Sequence, residues 1–229
     1  GTRTKPESDA PHLGEDYFQI FREEKSMRVA LERASHVYGP QMDGQPLFLD
    51  SLSRISVVNP QGDAQVLATM TCANIGRERL YDIPQLFWFE FPREHLDLRV
   101  YDAETHEPIP WRFTTDSPHK KVGFASIPGG IEPLTTRRLT FEYFAPEMFR
   151  FSSFYFTRIK PGLLEKSFHI SILREEPLKD AFAYRLRPDD SVAPERPFVI
   201  VQRKKDRADI RWTIHYPEPK SLVKTFWAY

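Results

Sequence analysis

From residue 47 onward, apolar and polar side chains alternate with a period of two, which is the pattern of β-strands. The segments "LFLDSLSRISVVN" and "AQVLATMTCAN" flank "PQGD", whose Pro, Gly and Asp are typical of a turn. Similar alternating segments continue to the C-terminal "SLVKTFWAY", about fourteen in all, with proline mostly between them. This spacing of short strands and turns predicts a β-rich protein.

The first forty residues follow a different pattern. "GTRTKPESDAPHLGED" is polar and has no periodicity, so residues 1–16 are predicted to be a disordered leader. "YFQIFREEKSMRVALERASHVYG" fits both helical spacing and strand alternation. We expect a short helix or irregular segment there, followed by a strand from about Met27.

The strand count exceeds what one small sandwich uses. We therefore expect an all-β fold of two packed antiparallel β-sandwich modules that resemble immunoglobulin-like sandwiches. The N-terminal module covers residues 17–147 and the C-terminal module residues 148–229, joined near "APEMFRFS". A single large sandwich or barrel is the alternative. Such a fold does not by itself supply a function.

The stretch "QLFWFEF" is unusual because both faces of the predicted strand are apolar. Leu86 and Trp88 lie on one face, and Phe87, Phe89 and Phe91 lie on the other. An antiparallel strand with one solvated face would carry polar residues there. Something must therefore cover both faces of this strand, or one face is kept free for a partner.

"FRFSSFYF" repeats this feature in the second half of the chain, with Phe154 and Phe156 on one face and Tyr155 on the other. In the structural explanation, the outer faces pack against the other module or a covering helix. In the functional explanation, they dock a partner. The predicted partner-binding residues are Phe87, Trp88, Phe89, Phe154, Phe156, Phe226 and Trp227.

Charge and cysteine content exclude several classes of protein. Lys+Arg and Asp+Glu are 32 each, so long-range attraction to nucleic acid or anionic membrane is absent. The basic "RKKDR" resembles an ordinary solvated hairpin tip. No window approaches the ~20 apolar residues of a membrane helix. The single cysteine, Cys72, reads as a small buried hydrophobe, and the lack of a disulfide framework favours a soluble, cytoplasmic protein.

No catalytic, metal or cofactor motif is found. His169 and His215 lie in strand patterns, and no histidine has the spacing of a zinc site. The carboxylates of "DAETHE" fit a turn better than a calcium loop. There is no Gly-x-Ser-x-Gly elbow. The sequence therefore predicts no catalytic residue, metal or cofactor and favours a non-catalytic protein over an enzyme.

The function that fits best is a protein-interaction or sensor module, which docks another protein or self-associates through aromatic strand surfaces. A ligand-binding protein or hydrolase, with a site in the cleft between the two modules, is the alternative. A carbohydrate-binding β-sandwich is the third possibility. It is weaker because Trp88 and Trp111 are embedded in apolar strands instead of lying side by side among polar residues.

Overall fold

Most of the chain is β-strand in the computed structural model, as the alternation predicts. Strands account for 51% of the residues and helices for 12%. The structure describes residues 13–89, 92–150, 153–173, 178–194 and 196–228. Residues 1–12 of the predicted leader lie outside these ranges. The prediction of a predominantly β protein is confirmed.

Two α-helices, α1 (Glu15–Glu23) and α2 (Met27–Tyr38), and a short 3₁₀ helix (Gly39–Gln41) precede the first strand in the described ranges. The predicted strand from Met27 is therefore wrong. The buried side chains of α2 include Ala30 and Ala34, one helical turn apart, whereas Met27 is exposed. No helix in the described ranges is long and apolar enough to cross a membrane.

Thirteen strands follow in the described part of the chain. They are β1 (Leu47–Val57), β2 (Ala64–Ala73), β3 (Leu80–Trp88), β4 (Leu98–Asp102), β5 (Trp111–Asp116), β6 (Lys120–Ile131), β7 (Thr136–Ala145), β8 (Phe154–Arg158), β9 (Glu165–Leu173), β10 (Asp180–Leu186), β11 (Ile200–Arg203), β12 (Arg207–His215) and β13 (Leu222–Ala228).

These strands form a seven-stranded sheet with the order β11-β12-β9-β1-β2-β7-β4 and two three-stranded sheets, β10-β13-β8 and β3-β6-β5. β1 and β9 pair in parallel, from Asp50 opposite Glu165 to Val57 opposite Ile172. The expectation of purely antiparallel sheets is thus wrong at this pair. A parallel pair needs a long crossover connection, whereas the alternation within each strand is the same for either direction.

The chain divides into two compact units, each built from two separate stretches. Unit 1 is Gly1–Leu49 with Met70–Thr140, and unit 2 is Asp50–Thr69 with Phe141–Tyr229. Strands β1, β2 and β7 contribute residues to both units. The sequence-based modules 17–147 and 148–229 stay a prediction.

Unit 1 contains both helices and the sheet β3-β6-β5. Ser35 of α2 donates a hydrogen bond from Oγ to the carbonyl of Ile75 at 2.7 Å. Cys72 is fully buried, as the sequence predicts.

Unit 2 contains the sheet β10-β13-β8 together with β9, β11 and β12. Its core includes Ile55, Phe168, Ile210 and Val223, which are all buried. The candidate functional surface lies on this unit.

Candidate binding surface

The sheet β10-β13-β8 places side chains in register across its three strands. Phe226 of β13 lies opposite Phe182 of β10 and opposite Phe154 of β8. In the next row on the same face, Lys224 lies opposite Tyr184 and opposite Phe156. Directly paired residues of neighbouring strands share a face of the sheet. These six side chains are named the aromatic face below.

The opposite face of this sheet is buried within unit 2. The ring of Tyr155 stacks on Phe168 of β9 at a centroid distance of 5.5 Å. Trp227 packs edge-on against Phe149 at 5.4 Å. Burial raises the pKa of Tyr155 to about 12. One face of the sheet β10-β13-β8 therefore packs within unit 2, and the aromatic face lies on the other side of the sheet.

The rings of the aromatic face contact one another closely. The ring of Phe226 lies nearly parallel to that of Phe182, with centroids 5.2 Å apart and planes 16° apart. The ring of Tyr184 also stacks on that of Phe226, with centroids 5.6 Å apart. The ring centroid of Phe154 lies 5.7 Å from that of Phe226. Phe182 is 47% exposed, and the other four aromatic residues are half-buried. The sheet thus carries a continuous apolar surface that reaches solvent.

Lys224 lies among these rings. Its Nζ is 4.4 Å from the ring centroid of Phe154 and 4.9 Å from that of Phe226. A lysine over aromatic faces is attracted by the quadrupole of the rings. Lys224 forms no ion pair with a carboxylate in the described ranges. The aromatic face therefore contains one positive charge for which the described part of the chain supplies no carboxylate.

Three of the seven predicted docking residues, Phe154, Phe156 and Phe226, come together on the aromatic face. Trp227 is on the opposite, buried side of the same sheet. The other three belong to β3 and the residue after it, in unit 1, and are described next. Partner binding by the set stays a prediction.

In "QLFWFEF", Phe87 and Phe89 are buried, 6% and 5% exposed, whereas Trp88 is 57% exposed. The ring of Phe87 meets that of Phe113 edge-on at 6.4 Å. Phe91 lies outside the described residues. One face of the stretch therefore fills the interior, and the other places Trp88 at the surface.

Sequence reasoning missed Phe182, Tyr184 and Lys224. A signal was present in "AFAYRLR", where small Ala181 and Ala183 alternate with the two aromatic residues. Ala183 is buried and Phe182 is exposed. Small residues on the inner face and aromatic residues on the outer face are the reverse of the arrangement expected for a solvated strand.

The predicted turn at "DAETHE" is present in unit 1. The carboxylate of Asp102 accepts hydrogen bonds from the backbone N–H groups of Glu104 and Thr105, at 2.8 and 2.9 Å. Burial raises the pKa of Asp102, but these N–H groups and Arg137 lower it further, so the net change is downward. A polar cavity of about 350 Å³ lies beside this turn, with Thr71 and Arg138 in its lining. No group of three potential metal ligands occurs in the described ranges.

No family model matches the chain, and no curated protein matches it. Its fold is similar to that of a provisionally named nutrient-binding protein of Legionella pneumophila, with 13% identity, a TM-score of 0.46, and coverage of 78% of this chain and 66% of that one. It is also similar to an M1 zinc metallopeptidase of Deinococcus radiodurans, with 11% identity, a TM-score of 0.46, and coverage of 79% and 42%.

A provisionally named protease of Parabacteroides distasonis is similar with 8% identity, a TM-score of 0.44, and coverage of 80% of this chain and 40% of that one. The chain spans less than two thirds of each of these structures. Similarity at these identities and TM-scores carries no functional argument.

Proposed function

We propose that this protein is a non-catalytic interaction module and that the aromatic face of unit 2 docks a segment of another protein. The observation that carries the proposal is the group of five aromatic rings, one exposed and four half-buried, with Lys224 among them and no ion pair to Lys224 from the described residues. Burying one exposed Phe side chain contributes about 1.5–3 kcal/mol. Contiguous apolar surface of this kind usually marks an interaction site.

The charge of Lys224 indicates the chemistry of the partner. A partner that covered the rings with apolar side chains alone would bury this ammonium group without a counter-ion, which is costly. A carboxylate in the docked segment would remove that cost. We therefore propose an apolar segment that carries an Asp or Glu side chain opposite Lys224.

The same charge disfavours a second copy of this chain as the partner. In a two-fold symmetric dimer, residues near the axis of the interface meet their own copies. Docking of two aromatic faces centred on Lys224 would bring two ammonium groups together, and like charges repel. A dimer formed through this face would contradict the proposed partner, and a measurement of the oligomeric state tests for it.

The ring geometry favours a protein partner over a sugar. Sugars stack on an open aromatic face, but Phe226 stacks on Phe182 at 5.2 Å and on Tyr184 at 5.6 Å. The planes of these ring pairs lie 16–18° apart, so part of each ring face is taken up by a neighbouring ring.

We also propose that the sheet β10-β13-β8 and the strands β9 and β12 form a β-sandwich. The stacking of Tyr155 on the buried Phe168 supports this part of the proposal, because the two residues belong to different sheets and their rings are in contact. Alternate residues directed between two sheets are typical of that architecture.

Selection from a displayed library of random peptides tests the partner chemistry. We expect the wild-type protein to enrich peptides with aromatic or aliphatic residues around an Asp or Glu. The Lys224→Glu variant should instead enrich peptides with Lys or Arg. Lys205→Glu, a charge change at an exposed position outside the aromatic face, is the matched control and should keep the wild-type preference. Identical preferences in all three proteins would overturn the proposal.

Light scattering coupled to gel filtration, run over a concentration series, tests the alternative occupant. We expect a monomer at all concentrations, both for the wild type and for Phe182→Ser. If the wild type forms a dimer and Phe182→Ser does not, the occupant of the aromatic face is a second copy of this chain and not another protein. Circular dichroism confirms that the variant keeps its fold, which we expect because Phe182 is 47% exposed.

A further inference from the structure

A row of three basic or titratable side chains crosses the seven-stranded sheet within unit 2. His169 of β9 lies opposite Arg54 of β1 and opposite Arg211 of β12. Directly opposed residues project from the same face of a sheet. Since neighbouring strands are about 4.8 Å apart, the two arginine backbones are separated by about 10 Å, with the histidine between them.

His169 is held in place by a buried carboxylate. Its Nε2 is 3.2 Å from Oδ1 of Asp209, whose side chain is only 5% exposed. The hydroxyl of Ser171 donates to the same oxygen at 2.8 Å. Burial raises the pKa of Asp209, but the bonds from Ser171 and His169 and the charge of Arg207 lower it further. The carboxylate is therefore ionised, and Nε2 of His169 carries the hydrogen that it accepts.

The charge of Asp209 is already balanced by its other neighbours. Nε of Arg207 is 3.6 Å from Oδ1, and Nζ of Lys204 is 3.8 Å from Oδ2. Arg207 also donates to Ser171. Asp209 thus orients His169 without neutralising the two arginines that flank the ring.

Arg54 and Arg211 are both exposed, and neither forms an ion pair or a side-chain hydrogen bond with a residue in the described ranges. Their charges act on His169, because both lower its pKa. Cations placed on both sides of one imidazole repel its protonated form, and the contact with Asp209 opposes this repulsion only on the Nε2 side of the ring. A bound anion would oppose it on the side of the two arginines.

We infer that Arg54, His169 and Arg211 form a binding site for a tetrahedral dianion of the sulfate or phosphate-ester class. The guanidinium groups offer forked N–H donors that match such oxygens, and arginine is the preferred residue for this recognition. His169 supplies a third donor from Nδ1 when it is protonated, because Nε2 is engaged by Asp209. The site lies on a different sheet from the aromatic face and does not depend on the docking proposal.

The inference predicts a specific dependence on pH. Burial lowers the pKa of His169, the bond to Asp209 opposes this, and Arg211 and Arg54 add to the lowering, so the free site is neutral at His169 near pH 7. A dianion in contact with Nδ1 favours the protonated ring and raises its pKa. Binding then takes up a proton, and affinity increases as the pH falls. The charged groups around the ring are Arg54 on β1, Arg211, Asp209 and Arg207 on β12, and Lys204 just before β12.

Isothermal titration calorimetry with sodium sulfate, at constant ionic strength set by chloride, tests the site. Sulfate stays a dianion across the working range, so any pH dependence comes from the protein. We expect binding that tightens from pH 8 to pH 5.5 and that weakens by about tenfold or more in Arg54→Gln and in Arg211→Gln. Arg158→Gln, an exposed arginine on β8, is the matched control and should bind as the wild type does.

His169→Gln separates the roles of the two residue types. We expect it to bind sulfate through the arginines, but without the pH dependence. Equal binding by the wild type, Arg54→Gln and Arg158→Gln would overturn the site, as would the absence of sulfate binding by the wild type. Phosphoserine and inorganic phosphate, titrated in parallel at pH 8, where both are mostly dianions, distinguish an ester ligand from a free anion by their relative affinities.

Discussion

Trp212 and Thr225 join two sheets of unit 2 by a buried hydrogen bond. The indole Nε1 of Trp212 on β12 donates to Oγ1 of Thr225 on β13 at 2.8 Å, and both residues are buried. Thr225 lies between Lys224 and Phe226 along the chain, so its side chain faces the interior while theirs form the aromatic face. The interior bond therefore fixes the strand that carries the proposed docking residues.

Thr225→Val keeps the shape of the side chain but removes the acceptor for Trp212. A buried donor without a partner costs about 1–3 kcal/mol, and we expect a loss of stability in that range. Urea unfolding followed by tryptophan fluorescence measures the change. Thr225→Ser, which retains the hydroxyl, is the control and should lose less stability than the valine variant. Equal losses in both variants would show that packing, and not the hydrogen bond, is responsible.

Phe87 and Trp88 are neighbours in the sequence, but we expect their substitution by alanine to change stability by very different amounts. Phe87 is 6% exposed and Trp88 is 57% exposed. Phe87→Ala should destabilise the protein by about 3–5 kcal/mol, the range for truncating large core side chains. Trp88→Ala should change stability by less than about 1 kcal/mol, as surface substitutions do. Denaturant unfolding of both variants checks this; a large loss for Trp88→Ala would mean that its ring packs in solution.

Lys166 is the basis of a prediction about alkaline pH. Its Nζ donates to Oγ of Ser51 at 3.0 Å and to Oγ of Ser53 at 2.8 Å, in a buried position. Burial, with a smaller contribution from Lys160, lowers the pKa of Lys166 to about 7 from the ordinary 10.5. Between these values the unfolded chain binds a proton that the folded protein lacks, so stability rises with pH by up to about 1.4 kcal/mol per pH unit.

Below pH 7 both states bind the proton, and the destabilisation from the buried ammonium is fully present. We therefore expect the urea midpoint of the wild type to rise from pH 7 to pH 9.5, and Lys166→Met to lack this rise. Lys205→Met, at an exposed position, should keep it. Above pH 10 the raised pKa of Tyr155, about 12, acts in the opposite direction because the unfolded tyrosine ionises first. The same slope in Lys166→Met and in the wild type would contradict the assignment.

The strands could be predicted from sequence because their alternation is local. The period of two also predicted that Phe154 and Phe156 share a face. Helix α2 was missed because Met27, Val29 and Leu31 alternate within it, although the buried stripe has helical spacing. A short apolar alternation is compatible with both structures until tertiary packing selects one.

The composition of the candidate sites could not be predicted, because it depends on which strands become neighbours. Phe182 meets Phe226 only through the pairing of β10 with β13, and Lys166 meets Ser51 across 115 residues. His169 likewise gains its two arginines from β1 and β12. Strand order and register are global properties of the fold, and a single sequence does not display them.

The parallel pairing of β1 with β9 has a consequence for the order of events during synthesis. A nascent chain that has emerged as far as residue 147 contains all of β1 but none of β9, whose first residue, Glu165, pairs with Asp50. Until β9 has been synthesised, the edge of β1 that β9 later covers exposes unpaired backbone N–H and C=O groups, to which another strand can bind. Contacts so distant in sequence form slowly, and partly folded chains with open strand edges are prone to aggregate. Unit 2 therefore cannot complete its folding until β9 has been synthesised, and chaperones that shield strand edges would act during that interval.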